Sequence, residues 1–166
     1  MRRWMIVAAA LLSLGGLSAC SSGKCEPCTT CPDFTGEYYE IIKLVIDNCD
    51  NVELLEGDLR LRVFNQLDTT LDIEMTDRYG TWAVLSGYLC ETNETDYPKD
   101  YAFSASYSPS QAGDRVILDY LLSGYFHLES DQAPAVLNGT LSITEHDLDS
   151  RKTCQVSGSI SPKITQ

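Results

Sequence analysis

Three closely spaced cysteines near the N-terminus are the residues of this sequence best suited to bind a metal ion or to carry out redox chemistry. Cys25, Cys28 and Cys31 are separated by two residues each, and Pro32 follows the last of them. Thiolates at this spacing can share a metal ion, and a Cys-x-x-Cys pair can exchange disulfides. An iron–sulfur cluster with this cysteine spacing would need a fourth cysteine four residues after Cys31. Thr35 occupies that position, and no second paired cysteine motif follows. A redox pair should open a helix, which the surrounding Ser, Gly, Pro and Thr do not favour. We therefore predict structural disulfides.

The other cysteines extend this prediction to the rest of the chain. When Cys20 is assigned to the N-terminal motif described below, an even number of cysteines remains. In an oxidising compartment such a set indicates disulfides, whose connectivity the spacing does not give. We expect the cysteines of the N-terminal segment to pair with those of the domain. The disulfide candidates are Cys25, Cys28, Cys31, Cys49, Cys90 and Cys154.

Histidine is scarce, which restricts the catalytic sites that the chain can build. The two histidines are His127 and His146. The strand pattern places His127 on the outside beside Tyr125 and Glu129, as a solvated sheet residue rather than a general base. The sequence has no Gly-x-Ser-x-Gly, His-Glu-x-x-His or phosphate-binding glycine loop. We expect no catalytic residue and a protein that is not an enzyme.

Two acidic segments contain residues that can ligate a divalent cation. Residues 145–149 read Glu-His-Asp-Leu-Asp, and residues 47–51 read Asp-Asn-Cys-Asp-Asn. The second segment lacks the glycine at the sixth position and the wider carboxylate spacing of an EF-hand loop. A polar turn has the same composition as either segment. We expect turns, with no metal and no cofactor.

A pattern of five residues indicates how the chain folds. It reads apolar, polar, Gly, polar, apolar and recurs along the mature chain at unequal intervals, which excludes a solenoid of fixed period. In a strand, alternate residues share a face, so each copy turns its glycine and both apolar residues inward. The glycines are Gly36, Gly57, Gly87, Gly124, Gly139 and Gly158.

Alternation of apolar and polar residues extends from these glycines into longer segments. Between Leu55 and Val63 every second residue is apolar or glycine, and the residues between them are charged. Residues 37–47 also fit helical spacing, but their Ile, Val and Tyr content favours a strand. Turn residues separate the segments. We predict strands near residues 37–47, 52–64, 70–76, 81–90, 100–108, 115–130, 134–146 and 153–164.

These strands predict an all-β fold of about eight antiparallel strands in a meander. The hairpin-length connections are typical of an up-and-down barrel or a related β-sandwich, and closure of a barrel removes exposed edges. The domain is similar to the lipocalin-like (calycin-type) family, because Gly36-x-Tyr38 resembles that family's Gly-x-Trp opening, with Tyr in place of Trp. The resemblance implies a barrel that can carry a small hydrophobic ligand, and we transfer no binding residue from it.

The N-terminus resembles that of bacterial lipoproteins. Arg2 and Arg3 precede an apolar run that is shorter than the ~20 residues needed to span a bilayer. The run ends in Leu17-Ser18-Ala19-Cys20, which is similar to a lipobox. This resemblance implies cleavage before Cys20, lipidation of its thiol and attachment to a membrane. Ser21 after the cysteine implies the outer membrane, on either its periplasmic or its cell-surface side.

Domain organisation follows from this N-terminal motif. Residues 1–19 form the signal peptide, residues 20–33 a cysteine-rich lipidated tether and residues 34–166 the barrel domain. The 166-residue chain has a net charge of −12, and cleavage removes two arginines. Because a protein with this negative net charge repels phosphate groups, we expect no nucleic-acid partner.

Outward aromatic residues provide the candidate interaction face, namely Trp82, Tyr88 and Tyr125. Ordinary cross-strand pairing would explain the same residues. We expect a lipid-anchored envelope protein whose barrel meets a protein or cell-wall partner. The alternative is a lipocalin-like carrier of a small hydrophobic ligand. The supply of Leu, Ile and Val at inward positions, with Tyr120 and Phe126, favours a filled interior.

Overall fold

The protein forms a closed barrel of antiparallel strands. The computed structural model describes residues 28–49, 56–77, 80–109 and 115–163, leaving aside the side chains at positions 77, 81 and 82. Each strand pairs with the next in the chain, and the last pairs with the first. The strands are β1 (Gly36–Asp47), β2 (Gly57–Leu67), β3 (Thr70–Asp77), β4 (Gly80–Leu89), β5 (Lys99–Tyr107), β6 (Val116–Leu128), β7 (Val136–Asp147) and β8 (Lys152–Pro162).

This architecture confirms the predicted all-β meander and decides between barrel and sandwich. The segment with helical spacing is β1, which pairs with β2 on one side and with β8 on the other. The described residues contain no helix long and apolar enough to cross a membrane. The signal peptide, Cys20 and Cys25 lie outside the described residues.

Inward side chains fill the barrel with an apolar core. The inward apolar positions at the centres of β2, β3, β6 and β7 are buried, as the alternation predicts, whereas Val116 at the start of β6 is exposed. Burial of each Leu, Ile or Phe contributes on the order of 1.5–3 kcal/mol. The largest fully buried side chains are Phe34, Phe126, Leu61, Leu71, Ile73, Met75, Leu85, Leu89, Leu122, Leu137, Leu141 and Val63.

Two glycines of the repeated pattern allow neighbouring strands to approach closely. A Cβ atom at Gly87 would overlap the backbone carbonyl of Ser104, and one at Gly124 would overlap that of Asn138. Glycine is required at these two positions because the backbone of the adjacent strand occupies the space that a side chain would fill. Both strands can therefore coil tightly around the core.

Residues 28–34 close one end of the barrel, and we call them the N-terminal plug. The Phe34 ring is 1% exposed and stacks on Phe126 with centroids 4.4 Å apart. The Phe34 amide donates to Gln66 Oε1 at 2.8 Å, and Gln66 Nε2 donates to the Pro32 carbonyl at 2.7 Å. Cys28 is also buried in the core. The plug is thus part of the packed domain.

Two of the disulfides differ from the expected pairing. Cys28 bonds Cys31 within the plug, and Cys49 after β1 bonds Cys154 in β8. Cys90 is disulfide-bonded as well. The expectation that tether cysteines pair with domain cysteines is wrong for these two bonds. The plug turns back on itself, which brings Cys28 and Cys31 together, while the pairing of β1 with β8 brings together Cys49 and Cys154.

Candidate functional site

The outer surface of the barrel has two parts with different chemistry. The outward residues of β1–β3 include many charges, and we call this part the charged half; its charged residues are Glu37, Lys43, Asp58, Arg60, Arg62, Asp72 and Glu74. The central outward residues of β4–β8 have no charge, and we call this part the uncharged face. It consists of Val84, Ser86, Tyr88, Ala102, Ser104, Ser106, Leu121, Ser123, Tyr125, Asn138, Thr140, Ser142, Thr144, Gln155 and Ser159.

The outward side chains of strand β5 are smaller than the tyrosines on the strands beside it, and we call this strip of small residues the channel. Its outward residues Ala102, Ser104 and Ser106 are small, because the large residues of this strand point inward. Tyr88 of β4 pairs with Ser104, and Tyr125 of β6 pairs with Ala102. Adjacent strands lie about 4.8 Å apart, so the backbones that carry the two tyrosines are about 10 Å apart. The tyrosines border the channel with a diagonal offset.

The structure places two of the three residues of the predicted aromatic face beside this channel. Tyr88 is 49% exposed and Tyr125 is 40% exposed. The side chain of Trp82 lies outside the described residues. Sequence reasoning missed the small residues between the tyrosines. The signal was the alternation of Ala102, Ser104 and Ser106 with larger apolar residues in β5.

His127 lies at the edge of the uncharged face between two carboxylates. Its Nδ1 is 2.6 Å from Asp100 Oδ1, and its Nε2 is 3.2 Å from Glu129 Oε1. The hydrogen bond with Asp100, then that with Glu129, raises the pKa of His127 above its usual value. This histidine therefore links β5 to the end of β6, most strongly when it is protonated.

His146 forms a second polar row across three outer strands. Its Nε2 is 3.1 Å from Asp119 Oδ2, and its Nδ1 is 3.3 Å from Thr153 Oγ1. The Ser108 hydroxyl donates to the other oxygen of Asp119 at 2.6 Å. A hydroxyl, an imidazole and a carboxylate stand in the order that nucleophilic catalysis uses. The row lies on the open outside of the sheet, where water reaches all three groups, and it acts as a cross-strand link.

The acidic segment of residues 145–149 does not converge on one point. Glu145 points inward and is buried, whereas His146 points outward. The Asp147 carboxylate accepts hydrogen bonds from Asp149 and Ser150, and those from Ser150 lower its pKa most. These contacts make the segment a capped turn, as the sequence predicts.

The side chains of Glu145, Cys49 and Cys154 come close enough together to suggest a metal site. Their ligand atoms lie within 4.8 Å of one another. Both sulfur atoms belong to the Cys49–Cys154 disulfide, so neither is a thiolate. The trio therefore does not supply the ligands that a soft metal ion needs. The other predicted acidic segment, residues 47–51, lies partly outside the described residues, and its Asn48 side chain accepts a hydrogen bond from the Gln155 amide.

Glu40 is a buried carboxyl group that sequence reasoning missed. It points into the barrel from β1, is 2% exposed, and its Oε2 has no hydrogen-bond partner among the described residues. Burial raises its pKa to about 7. No sequence signal singled it out, because β1 fits both helical and strand spacing.

Cavities lined by the described residues open on the surface of the barrel. One of about 550 Å³ lies between the N-terminal plug and the connection from β6 to β7, and its lining includes Asp33, Tyr97 and Asp131. Another of about 440 Å³ lies outside β2–β4 and is lined by Leu67, Asp72 and neighbouring residues.

Comparisons with known proteins identify no relative, so the functional argument rests on the outer surface of the barrel. The chain matches no protein-family model, no curated protein and no solved structure.

Proposed function

We propose that the protein is a lipid-anchored lipoprotein of the bacterial cell envelope that is not an enzyme and that presents its barrel to an envelope or extracellular partner. The observation that carries this proposal is the uncharged face with its two exposed tyrosines. Aromatic residues with a polar tip are enriched where proteins meet partners. The outward residues of the charged half carry many charges. The lack of charge on the uncharged face is therefore not a general property of the outside of this barrel.

The N-terminal plug supports the anchoring part of this proposal. Cys20 precedes Cys28 by eight residues in the sequence, so their separation is at most about 28 Å. A lipid on Cys20 therefore holds the plug end of the barrel close to the membrane. The sides of the barrel, including the uncharged face, remain open to a partner.

The packed interior supports an external partner over an internal ligand. Phe34, Phe103 and Phe126 occupy the barrel near the plug, with centroid separations of 4.4 and 4.9 Å from Phe126. The lipocalin-like carrier would need space within this core. Native mass spectrometry of the full-length protein tests that alternative, because a stoichiometric apolar adduct would favour it.

The anchor is tested by metabolic labelling with an alkyne-bearing fatty acid in a diderm bacterium. We expect the label on the wild-type protein and its loss in Cys20→Ser, because serine has no thiol to acylate. Ser21→Ala is the matched control and keeps the label. An unlabelled wild-type protein would contradict the lipid anchor.

The interaction surface is tested in the same cells by photocrosslinking. A photoreactive residue at position 88 should capture a partner in the envelope. The same residue at position 39, where Tyr39 is 60% exposed on the charged half, is the control. Equal capture at both positions, or none at either, would contradict a partner on the uncharged face.

A further inference from the structure

We propose that the partner is an uncharged glycan strand that lies across β5 in the channel between Tyr88 and Tyr125. This inference rests on the proposed function, since it names the partner of the same face. It follows from the charge, the side-chain chemistry and the shape of the uncharged face.

The charge distribution favours an uncharged partner. The outward residues that define the uncharged face include no Lys or Arg to attract a polyanion and no Asp or Glu to attract a polycation. Charged residues border this face: Asp72 accepts a hydrogen bond from Ser86 at 2.7 Å, and Lys43 is the cross-strand partner of Ser159. Acidic groups also surround His127 and His146 at the strand ends, so acidic residues predominate along the border. In a protein of net charge −12, these groups would repel an anionic polymer.

The side-chain chemistry matches a sugar. A pyranose ring has apolar C–H faces and a rim of hydroxyl groups. Tyr88 and Tyr125 offer aromatic faces with a hydroxyl at the tip. Ser104 and Ser123 form a cross-strand pair between them, and Asn138 pairs with Tyr125. Hydroxyl and amide groups both donate and accept hydrogen bonds, as sugar hydroxyls require.

The same composition argues against a protein partner. Interfaces between proteins are enriched in Tyr, Trp, Phe, Met and Arg and depleted in Ser and Ala. The two tyrosines suit either kind of partner, so the small residues between them decide. The channel floor consists of Ala102, Ser104 and Ser106, and hydroxyl residues continue across β7 and β8. A protein would gain little buried apolar area on such a floor, whereas a glycan can form hydrogen bonds along it.

The shape fits an extended chain. The strands bearing the two tyrosines are about 10 Å apart, a separation comparable to the length of a disaccharide. The diagonal offset of Tyr88 and Tyr125 directs a bound chain across the strands and onto β7. Each ring would then stack on a separate sugar unit.

The test measures how the full-length protein, purified in detergent, binds to chitin beads and to cellulose, two uncharged glycans. We expect saturable binding to one or both. Tyr88→Ala and Tyr125→Ala should each weaken it about tenfold, which corresponds to about 1.4 kcal/mol and lies within the range that aromatic contacts contribute. Tyr39→Ala is the matched control and should bind as wild type does.

Two further measurements exclude trivial explanations. Ser104→Arg keeps both rings but places a long side chain on the channel floor, so it should abolish binding while thermal unfolding remains cooperative. Salt of about 1 M should leave wild-type binding unchanged, because the contact involves no ion pairs. Loss of binding at high salt would contradict an uncharged contact.

The outcomes separate this inference from the proposed function. If neither glycan binds while photocrosslinking at position 88 captures a protein, the glycan inference is wrong and the proposed interaction surface stands. If neither glycan binds and position 88 captures nothing, both are wrong. If Tyr39→Ala weakens binding as much as Tyr88→Ala, the glycan does not occupy the channel.

Discussion

The charged half and the uncharged face belong to one barrel and share one inward pattern, yet their outer surfaces differ in charge. On the charged half, Arg60 lies 3.9 Å from Glu37, and Lys163 lies 2.6 Å from Asp58. On the uncharged face, Gln155 donates to Ser142 and the tyrosines stand free of ion pairs. The inward residues specify the fold, while the outward residues can vary with function.

The largest expected effect is on the free energy of unfolding. It tests whether the strands of the charged half and those of the uncharged face depend equally on the shared core. Leu61 in β2 and Leu122 in β6 are both fully buried. Leu61→Ala and Leu122→Ala should each lower the free energy of unfolding by about 2–5 kcal/mol, because each leaves a cavity. Chemical denaturation measures both. A small effect in one part alone would show that the core is not shared.

The second prediction concerns Glu40, the buried acid that points into the barrel beneath the charged half. Its pKa of about 7 in the folded protein exceeds the usual value of 4.5, so the folded state keeps a proton that the unfolded state loses. Stability should therefore fall by about 3 kcal/mol as the pH rises from 4.5 through 7. Denaturation across this range measures the loss.

Glu40→Gln should remove most of this dependence and make the protein more stable than wild type at pH 8. Glu37→Gln, in the same strand but exposed, is the matched control and should retain the slope. An unchanged slope in Glu40→Gln would assign the pH dependence to another group.

The third prediction concerns His127 at the edge of the uncharged face. Its partners raise its pKa, so the added stability is fully present below the unfolded value of 6.5. It is lost as the pH rises through the raised folded value. Titration of the imidazole by NMR should show this raised value in wild type. Asp100→Asn should lower it, and no change in that variant would show that Asp100 is not the main cause.

The smallest effect should come from the ion pair of the charged half. Arg60 and Glu37 are both partly exposed, and exposed pairs contribute less than about 1 kcal/mol. A double-mutant cycle with Arg60→Met and Glu37→Gln should give a coupling energy within that limit and a weaker one at high salt. A larger coupling would show that the charged half has a structural role of its own.

The fold was accessible from sequence because the inward alternation is a local property of each strand. The segment from Leu55 to Val63 needs no partner to show its period. The channel was less accessible, because only the register brings Tyr88 and Tyr125 to either side of β5. The Cys49–Cys154 disulfide and the packing of the plug on the core depend on contacts between distant segments, so spacing did not predict them. The Cys28–Cys31 disulfide is local, and its spacing allows other pairings equally.

Closure of the barrel by β1 and β8 has a consequence for chains that are made incompletely. Cys49 and Cys154 are 105 residues apart, and the Lys163 amide donates to the Tyr39 carbonyl. A chain that stops before β8 leaves the edges of β1 and β7 unpaired and Cys49 without its partner thiol. An incomplete copy would therefore carry a free thiol next to an open sheet edge, which would favour non-native disulfides and strand pairing between copies.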